Sequence, residues 1–313
     1  MSTNIHYDTI AALPQTTARF RQMQPHAPAI GSPHHRAMKH ATFPLPELSG
    51  RTELIDTHCH LDMSAYQSDL DEVIQSAARH GIKRIITIGI DYPSSRQAVA
   101  LSDRYPNIFA TVGVHPHDAQ QASSVALRQL ADLASHRSVV GYGEIGLDYV
   151  KNYAPTDVQR RVFSEQLHLA KELGLPVVIH DREAHDDTCR LIRSAGPFPR
   201  GGVMHCFSGD RQLAETMIDL GFLVSIPGVA TFANAHSLHE VIRTIDLQYL
   251  LLETDGPYLA PTPFRGKRNE PKLMLYTAQK VAELKGISLD EVARTTTANA
   301  VRLFQLPGDG HDS

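Results

Sequence analysis

Cysteine is scarce in this chain. Cys59, Cys189 and Cys206 are the three present in 313 residues. They are too few and too scattered for a disulfide framework, and they fit a reducing compartment. No apolar run approaches the roughly 18 residues of a membrane span, and the first 50 residues lack the apolar core of a secretory leader. Arg19-Phe20-Arg21 is not a twin-arginine signal. The expectation is a cytoplasmic protein with no membrane partner, and a monomer. An excess of positive charge is missing as well: 30 Lys and Arg stand against 34 Asp and Glu, a formal net charge of −4. The molecule as a whole is therefore not a basic nucleic-acid coat, and an enzyme acting on nucleic acid needs a local basic patch instead. No Gly-rich dinucleotide fingerprint follows the first strand-like run, which counts against a doubly wound open sheet.

What is present divides unevenly. Residues 1–50 hold five histidines, six prolines and a charge of +2, with no sustained apolar period. They read as a loosely ordered N-terminal extension. From Glu53 onward, apolar runs at 53–57, 84–88, 108–114, 139–145, 176–179, 202–205, 222–226 and 249–252 read as strands. Helical patterns lie between them, near 94–104, 123–135, 156–173, 183–194, 210–220, 234–244 and 270–285. The first helix opens at Ser68-Asp69-Leu70-Asp71, which reads as a capping box. It carries Leu70, Val73, Ile74, Ala77 and Ala78 on one face and stops at Gly81. A terminal helical pair is expected near 288–303. Eight strands alternating with eight helices over about 250 residues imply a parallel sheet with right-handed crossovers, closed into a (β/α)8 TIM-type barrel. Residues 51–313 are expected to form this single domain.

A barrel of this kind places chemistry at the C-terminal ends of its strands. His58 and His60 end the first run and project together, because residues i and i+2 of a strand share a face. Glu144 ends the fourth, His180 the fifth, His205 the sixth and Asp255 the eighth. Six metal-type side chains at one end of five strands form a constellation that no single one of them suggests. Four imidazoles and two carboxylates exceed the needs of one tetrahedral ion. They suit two divalent ions with a shared carboxylate, and Glu144 is the natural bridge. The nitrogen-rich set favours zinc or manganese, with exchange for magnesium open.

Seven motifs in order then carry a resemblance. They are Asp56-Thr-His58-Cys-His60-Leu-Asp62, Val-Gly-Val-His115-Pro-His117, Gly-Glu144-Ile-Gly-Leu-Asp-Tyr149, Ile-His180-Asp-Arg182-Glu-Ala, His205-Cys-Phe-Ser-Gly, Glu253-Thr-Asp255-Gly-Pro-Tyr258 and Arg268-Asn-Glu-Pro. Over residues 53–305 the chain resembles the TatD family of metal-dependent hydrolases, within the amidohydrolase-like barrels. The resemblance implies a two-metal site with His58, His60, Glu144, His180, His205 and Asp255 as ligands, and a deoxyribonuclease-type activity. Related barrels that act on carbon often bridge their metals with a carboxylated lysine. Glu144 in that place favours the nuclease-like branch over an amidase, a lactonase or an aminoacyl-tRNA deacylase.

Asp255 is the expected general base, alongside the bridging Glu144. His115 is expected to contact substrate, and His117 to be a loop residue because Pro116 ends the strand. Cys59 should face away from the ligands into the core. Asp62 is expected either to orient a ligand histidine or to be an exposed turn carboxylate. Arg182, Arg265 and Arg268 are expected at phosphates; the alternative is a solvated basic loop, with Glu253 and Glu270 as the ion-pair partners of these arginines. Tyr149, Tyr153, Phe207, Tyr258 and Phe264 stand near the same loops and offer faces for unpaired bases. The expected substrate is single-stranded DNA, cleaved from an end.

Overall fold

A computed structural model of the chain describes residues 43–50 and 52–307. The expected loose extension therefore lies, up to residue 42, outside the described residues. The described residues fall in one compact unit. Eight strands run in the order β1 to β8, each parallel to the next: Leu54–Cys59, Ile82–Ile88, Ile108–Val112, Val139–Asp148, Val177–Arg182, Gly202–Met204, Phe222–Ile226 and Leu250–Leu252. A parallel bridge from Cys59 to Gly256 joins the last strand to the first. Asp255 N donates to His58 O at 2.8 Å and His60 N to Gly256 O at 2.8 Å, which closes the ring at its C-terminal end. The fold is the expected (β/α)8 barrel.

Helices α1 to α9 follow the strands: Leu70–Arg79, Tyr92–Arg104, Ser124–Ala134, Thr156–Leu173, His185–Ala195, Arg211–Asp219, His236–Thr244, Met274–Lys285 and Leu289–Phe304. Two local expectations change. Asp69 sits at the N-cap of α1, yet its side chain makes no capping bond, because both carboxylate oxygens accept from Arg268 instead, at 2.8 and 2.7 Å. The expected terminal pair is one continuous helix, α9, opened by the Ser288 hydroxyl accepting from Glu291 N.

Burial divides into two layers. The larger core lies between the strands and the surrounding helices. A smaller one fills the barrel itself: Ile55, Ile86, Phe109, Val178, Val203, Leu223 and Leu251 meet Leu303 and Phe304 of α9 and then Leu306. The final helix thus plugs the lower end of the barrel and leaves the other end for polar side chains. In β1 the inner layer takes Ile55 and the outer one Cys59. Strict alternation would put both on the same side. A register shift between Asp56 and Cys59 resolves this and turns His58 inward.

Residues 43–50 are part of the barrel unit rather than of a separate extension. Leu45 and Leu48 pack against the outer core. Tyr276 donates its hydroxyl to the carbonyls of Phe43 and Pro44, and Ser49 N donates to Asp290 at 2.9 Å. A chain starting at residue 51 should be less stable than one starting at 43 by roughly 2 kcal/mol, a drop in Tm on the order of 5 °C. Calorimetry of the two chains would test this; equal Tm values would show that the strap adds nothing.

Candidate metal centre

The six predicted ligands converge at the open end of the barrel, though not all sit where the strand ends were expected. β4 runs on to Asp148 and β5 to Arg182, so Glu144 and His180 lie inside strands. His205 follows β6 directly, and Asp255 lies three residues past β8 with φ 55°. Glycine on either side of Glu144 has a steric cause. A Cβ at Gly143 (φ +153) would lie 2.4 Å from Val178 O, and one at Gly146 (φ +145) would lie 1.9 Å from His180 O. Only a glycine lets β4 approach β5 this closely and hold a positive φ.

The Glu144 carboxylate divides the centre. Its Oε2 faces His58 Nε2 at 3.4 Å and His60 Nε2 at 3.8 Å. Asp255 Oδ1 completes that side, 3.4 Å from His60 Nε2 and 3.7 Å from His58 Nε2. Its Oε1 faces His180 Nδ1 and His205 Nε2, each at 2.8 Å. Within each side two imidazole nitrogens approach one another at 3.3 Å: His58 Nε2 with His60 Nε2, and His180 Nδ1 with His205 Nε2. Paired nitrogen lone pairs aimed at the same carboxylate oxygen fit a cation better than they fit one another. The donor set of imidazole and carboxylate is one that divalent transition ions take.

Charge in the centre is strongly coupled. Burial opposes ionisation of Glu144, but the charge of His205 and hydrogen bonds from His115 and His180 outweigh it and hold the carboxyl well below its ordinary range. Burial also works against a charged His205, and Glu144 and Glu253 overcome it, so this imidazole rises well above its ordinary value. In His58 burial prevails and the neighbouring His205 adds to it, which lowers that ring.

His115 lies in the same cluster, buried, with Nε2 3.3 Å from Glu144 Oε1. Its Nδ1 accepts from His117 N, which assigns the proton to Nε2. Burial pushes it down to about 4, so the neutral ring points its N–H at Glu144. His117 is more than a loop residue: its Nε2 lies 2.8 Å from Asp148 Oδ2. The same Asp148 oxygen lies 3.4 Å from His180 Nε2. Cys59 is buried in the outer core, as expected, with its thiol directed at Gly256 O. Asp62 is half-buried, and its Oδ1 has no hydrogen-bond partner.

Glu253 requires a correction. Expected to pair with an arginine, it is fully buried beneath the centre, where Oε1 accepts from Cys206 N at 2.5 Å and lies 3.5 Å from His205 Nδ1. Burial excludes it from the exposed loop cations. Asp148 was given no role beforehand, although its spacing of four residues from Glu144 is visible in the sequence. Carboxylates of this kind fix the tautomer and orientation of a ligand histidine. Asp56 does comparable work for the backbone, accepting from Thr254 N at 2.9 Å and from the Thr254 hydroxyl.

The expected phosphate-binding arginines also separate. Arg268 pairs with Asp69 and with Glu270 at 2.8 Å, and donates to Ala65 O. Its donors tie the loop after β8 to the loop after β1 and are not free for a ligand. Arg265 lies over the Phe232 ring at 4.5 Å. Arg182 is exposed at the end of β5 and has no carboxylate partner among the described residues.

Comparison with known proteins places this geometry. The family model described as TatD related DNase matches residues 55–305. The chain belongs to the TatD family. A metal-dependent hydrolase of Bacillus subtilis, YabD, whose activity is uncharacterised, is 42% identical over 81% of this chain and 99% of its own. The 3′-5′ ssDNA/RNA exonuclease TatD of Salmonella typhimurium is 34% identical over 81% of this chain and 99% of its own. The crystal structure of the TatD homologue YjjV from Escherichia coli superposes with a TM-score of 0.78, at 34% identity, covering 82% of this chain and 100% of that one. The chain is thus a metal-dependent hydrolase, and its His, Glu and Asp clusters can hold metal ions. Among the described residues no helix is long and apolar enough to cross a membrane.

Replacing the carboxylate behind His205 tests the supporting shell. Glu253→Gln should lower metal affinity about 10- to 100-fold while the ligands stay in place. Competition with a chromophoric chelator would measure it, and an unchanged affinity would confine Glu253 to holding the Cys206 backbone.

Proposed function

We propose that this hydrolase cleaves phosphodiester bonds of single-stranded nucleic acid, with DNA as the expected polymer and a strand end as the point of attack. The observation that carries the reading is the Glu144 carboxylate, whose two oxygens face two separate sets of imidazoles. On this reading His58, His60 and Asp255 would hold one divalent ion and His180 and His205 a second, with the Glu144 carboxylate shared between the two sides. Zinc or manganese suits the donors better than magnesium. Bound ions of this kind supply Lewis-acid charge for a phosphoryl oxygen and acidify water near neutral pH.

The remaining chemistry belongs to the chain. Asp255 keeps 14% of its side chain open to the mouth. Burial disfavours its charge, but a hydrogen bond from His60 and the charge of His205 overcome that, so it is held as a carboxylate. A carboxylate so placed takes the proton of an attacking water. Neutral His115 steadies Glu144 through its Nε2–H. Arg182 and Arg265, two loop cations without a carboxylate partner among the described residues, are assigned to substrate phosphates. The Salmonella relative's name, 3′-5′ ssDNA/RNA exonuclease, supports a single-stranded nucleic acid as the substrate.

Purified protein should bind two divalent ions per chain by elemental analysis, and Glu144→Ala should disturb both; no more than one ion at saturation rejects the bridge. A metal-reconstituted assay should show end-labelled single strands consumed ahead of duplex, ester and amide. Turnover of the amide alone would overturn the proposal.

Three substitutions then separate chemistry, binding and structure. Asp255→Asn should lower turnover about 10²–10⁴-fold. Arg182→Ala should weaken binding and reduce the salt-dependence slope by roughly 0.7. Arg268→Ala should lower Tm by about 2–4 °C with the slope unchanged. A slope that falls in Arg268→Ala instead would return that residue to the substrate.

A further inference from the structure

Two aromatic rings stand uncovered at the mouth of the barrel. Of the five that the sequence places near these loops, Phe207 is buried. Tyr149 is half-buried and donates its hydroxyl to Asp187 at 2.6 Å. Phe264 is half-buried against Phe43 and Tyr276. Tyr153 and Tyr258 remain, 63% and 53% exposed. Neither phenol makes a hydrogen bond within the described residues, so no structural duty accounts for their hydroxyls.

Their placement is symmetric about the centre. Tyr153 follows β4 and Tyr258 follows β8. In a closed ring ordered β1 to β8 these strands are diametrically opposed, and their loops face each other across the mouth. Each ring also flanks one half of the divided site. Tyr258 meets His60, on the Oε2 side, at 6.3 Å between ring centroids. Tyr153 meets His117 edge-on at 4.7 Å, and His117 meets His115, on the Oε1 side, at 4.3 Å.

We infer that Tyr153 and Tyr258 are base-stacking platforms, and that a single strand lies across the mouth with one nucleobase on each side of the phosphate that is brought to the metal centre. This rests on the nucleic-acid reading above and deepens it. Every base presents a π-face, so stacking on an exposed ring holds a strand without reading its sequence. In a duplex each base is already stacked and paired, and two platforms on opposite rims have no free face to meet. The chemistry recognised is therefore an unpaired segment of at least two nucleotides. A phosphodiester without bases makes neither contact.

The experiment measures binding by fluorescence anisotropy, with a labelled thymidine 12-mer and an abasic 12-mer of equal charge, for the wild-type chain and for Tyr153→Leu, Tyr258→Leu and the corresponding Phe variants. Each Leu variant should lose roughly 5- to 150-fold in affinity for the base-bearing strand. It should bind the abasic strand as the wild type does, at unchanged Tm. Each Phe variant should bind both strands like the wild type. Leu variants that keep full affinity for the base-bearing strand, while the wild type still cleaves it, overturn the platforms and leave the nuclease reading standing. Equal losses on both strands place the tyrosines at the backbone and overturn the stacking role. A wild-type chain that neither binds nor cleaves either strand overturns both readings together.

Discussion

The Glu144 carboxylate is the constraint on which the centre depends. It is buried among the imidazoles of His58, His60, His180, His205 and His115, where an isolated carboxylate would be driven towards its neutral acid. It remains charged because nitrogen surrounds both of its oxygens. The neighbouring features follow from accommodating that one group. The flanking glycines let β4 close on β5 around it, the register shift in β1 turns His58 towards it, and the final strand returns to β1 so that Asp255 completes one side. Behind these imidazoles stand two further carboxylates, Asp148 at 3.4 Å from His180 and Glu253 at 3.5 Å from His205. Removing any one of these groups leaves a partner buried and unmatched, which is more costly than losing the pair together.

Much of this was legible in the sequence because it is local. Continuous apolar runs, helical periods between them and metal-type residues at the run ends sufficed for the barrel and for the six side chains that meet. What escaped depends on partners distant in the chain. Arg268 and Asp69 are 199 residues apart, so nothing in the local pattern could show that Asp69 leaves its cap to pair with that guanidinium. Glu253 looked like a loop acid because it stands two residues before a ligand; only the depth of β8 in the barrel reveals it as fully buried. The strap at 43–50 was grouped with the polar segment before it, since two leucines are too few to form a periodic signal.

The surface of the mouth follows the same division between committed and free groups. Cations and rings that hold loops together, such as Arg268 and Phe264, are already matched within the fold. Those left without such work, Arg182 and the two tyrosines, are the ones a ligand can engage without breaking an internal contact. Chemical type alone therefore does not identify a binding residue in this protein; availability does.

The closing of the ring also has a consequence for the order of events during synthesis. Asp56 grips Thr254 across 198 residues, and α9, which follows β8 in the chain, supplies Leu303 and Phe304 to the barrel interior. Contacts of such separation form late, after the loop-closure entropy has been overcome. A nascent chain that has emerged as far as His205 carries five of the six proposed ligands but lacks Asp255, the strand that closes the ring and the helix that plugs it. On this topology the centre is complete only once β8 has closed the ring and α9 has plugged it, so competence comes with these late-forming contacts rather than building up strand by strand.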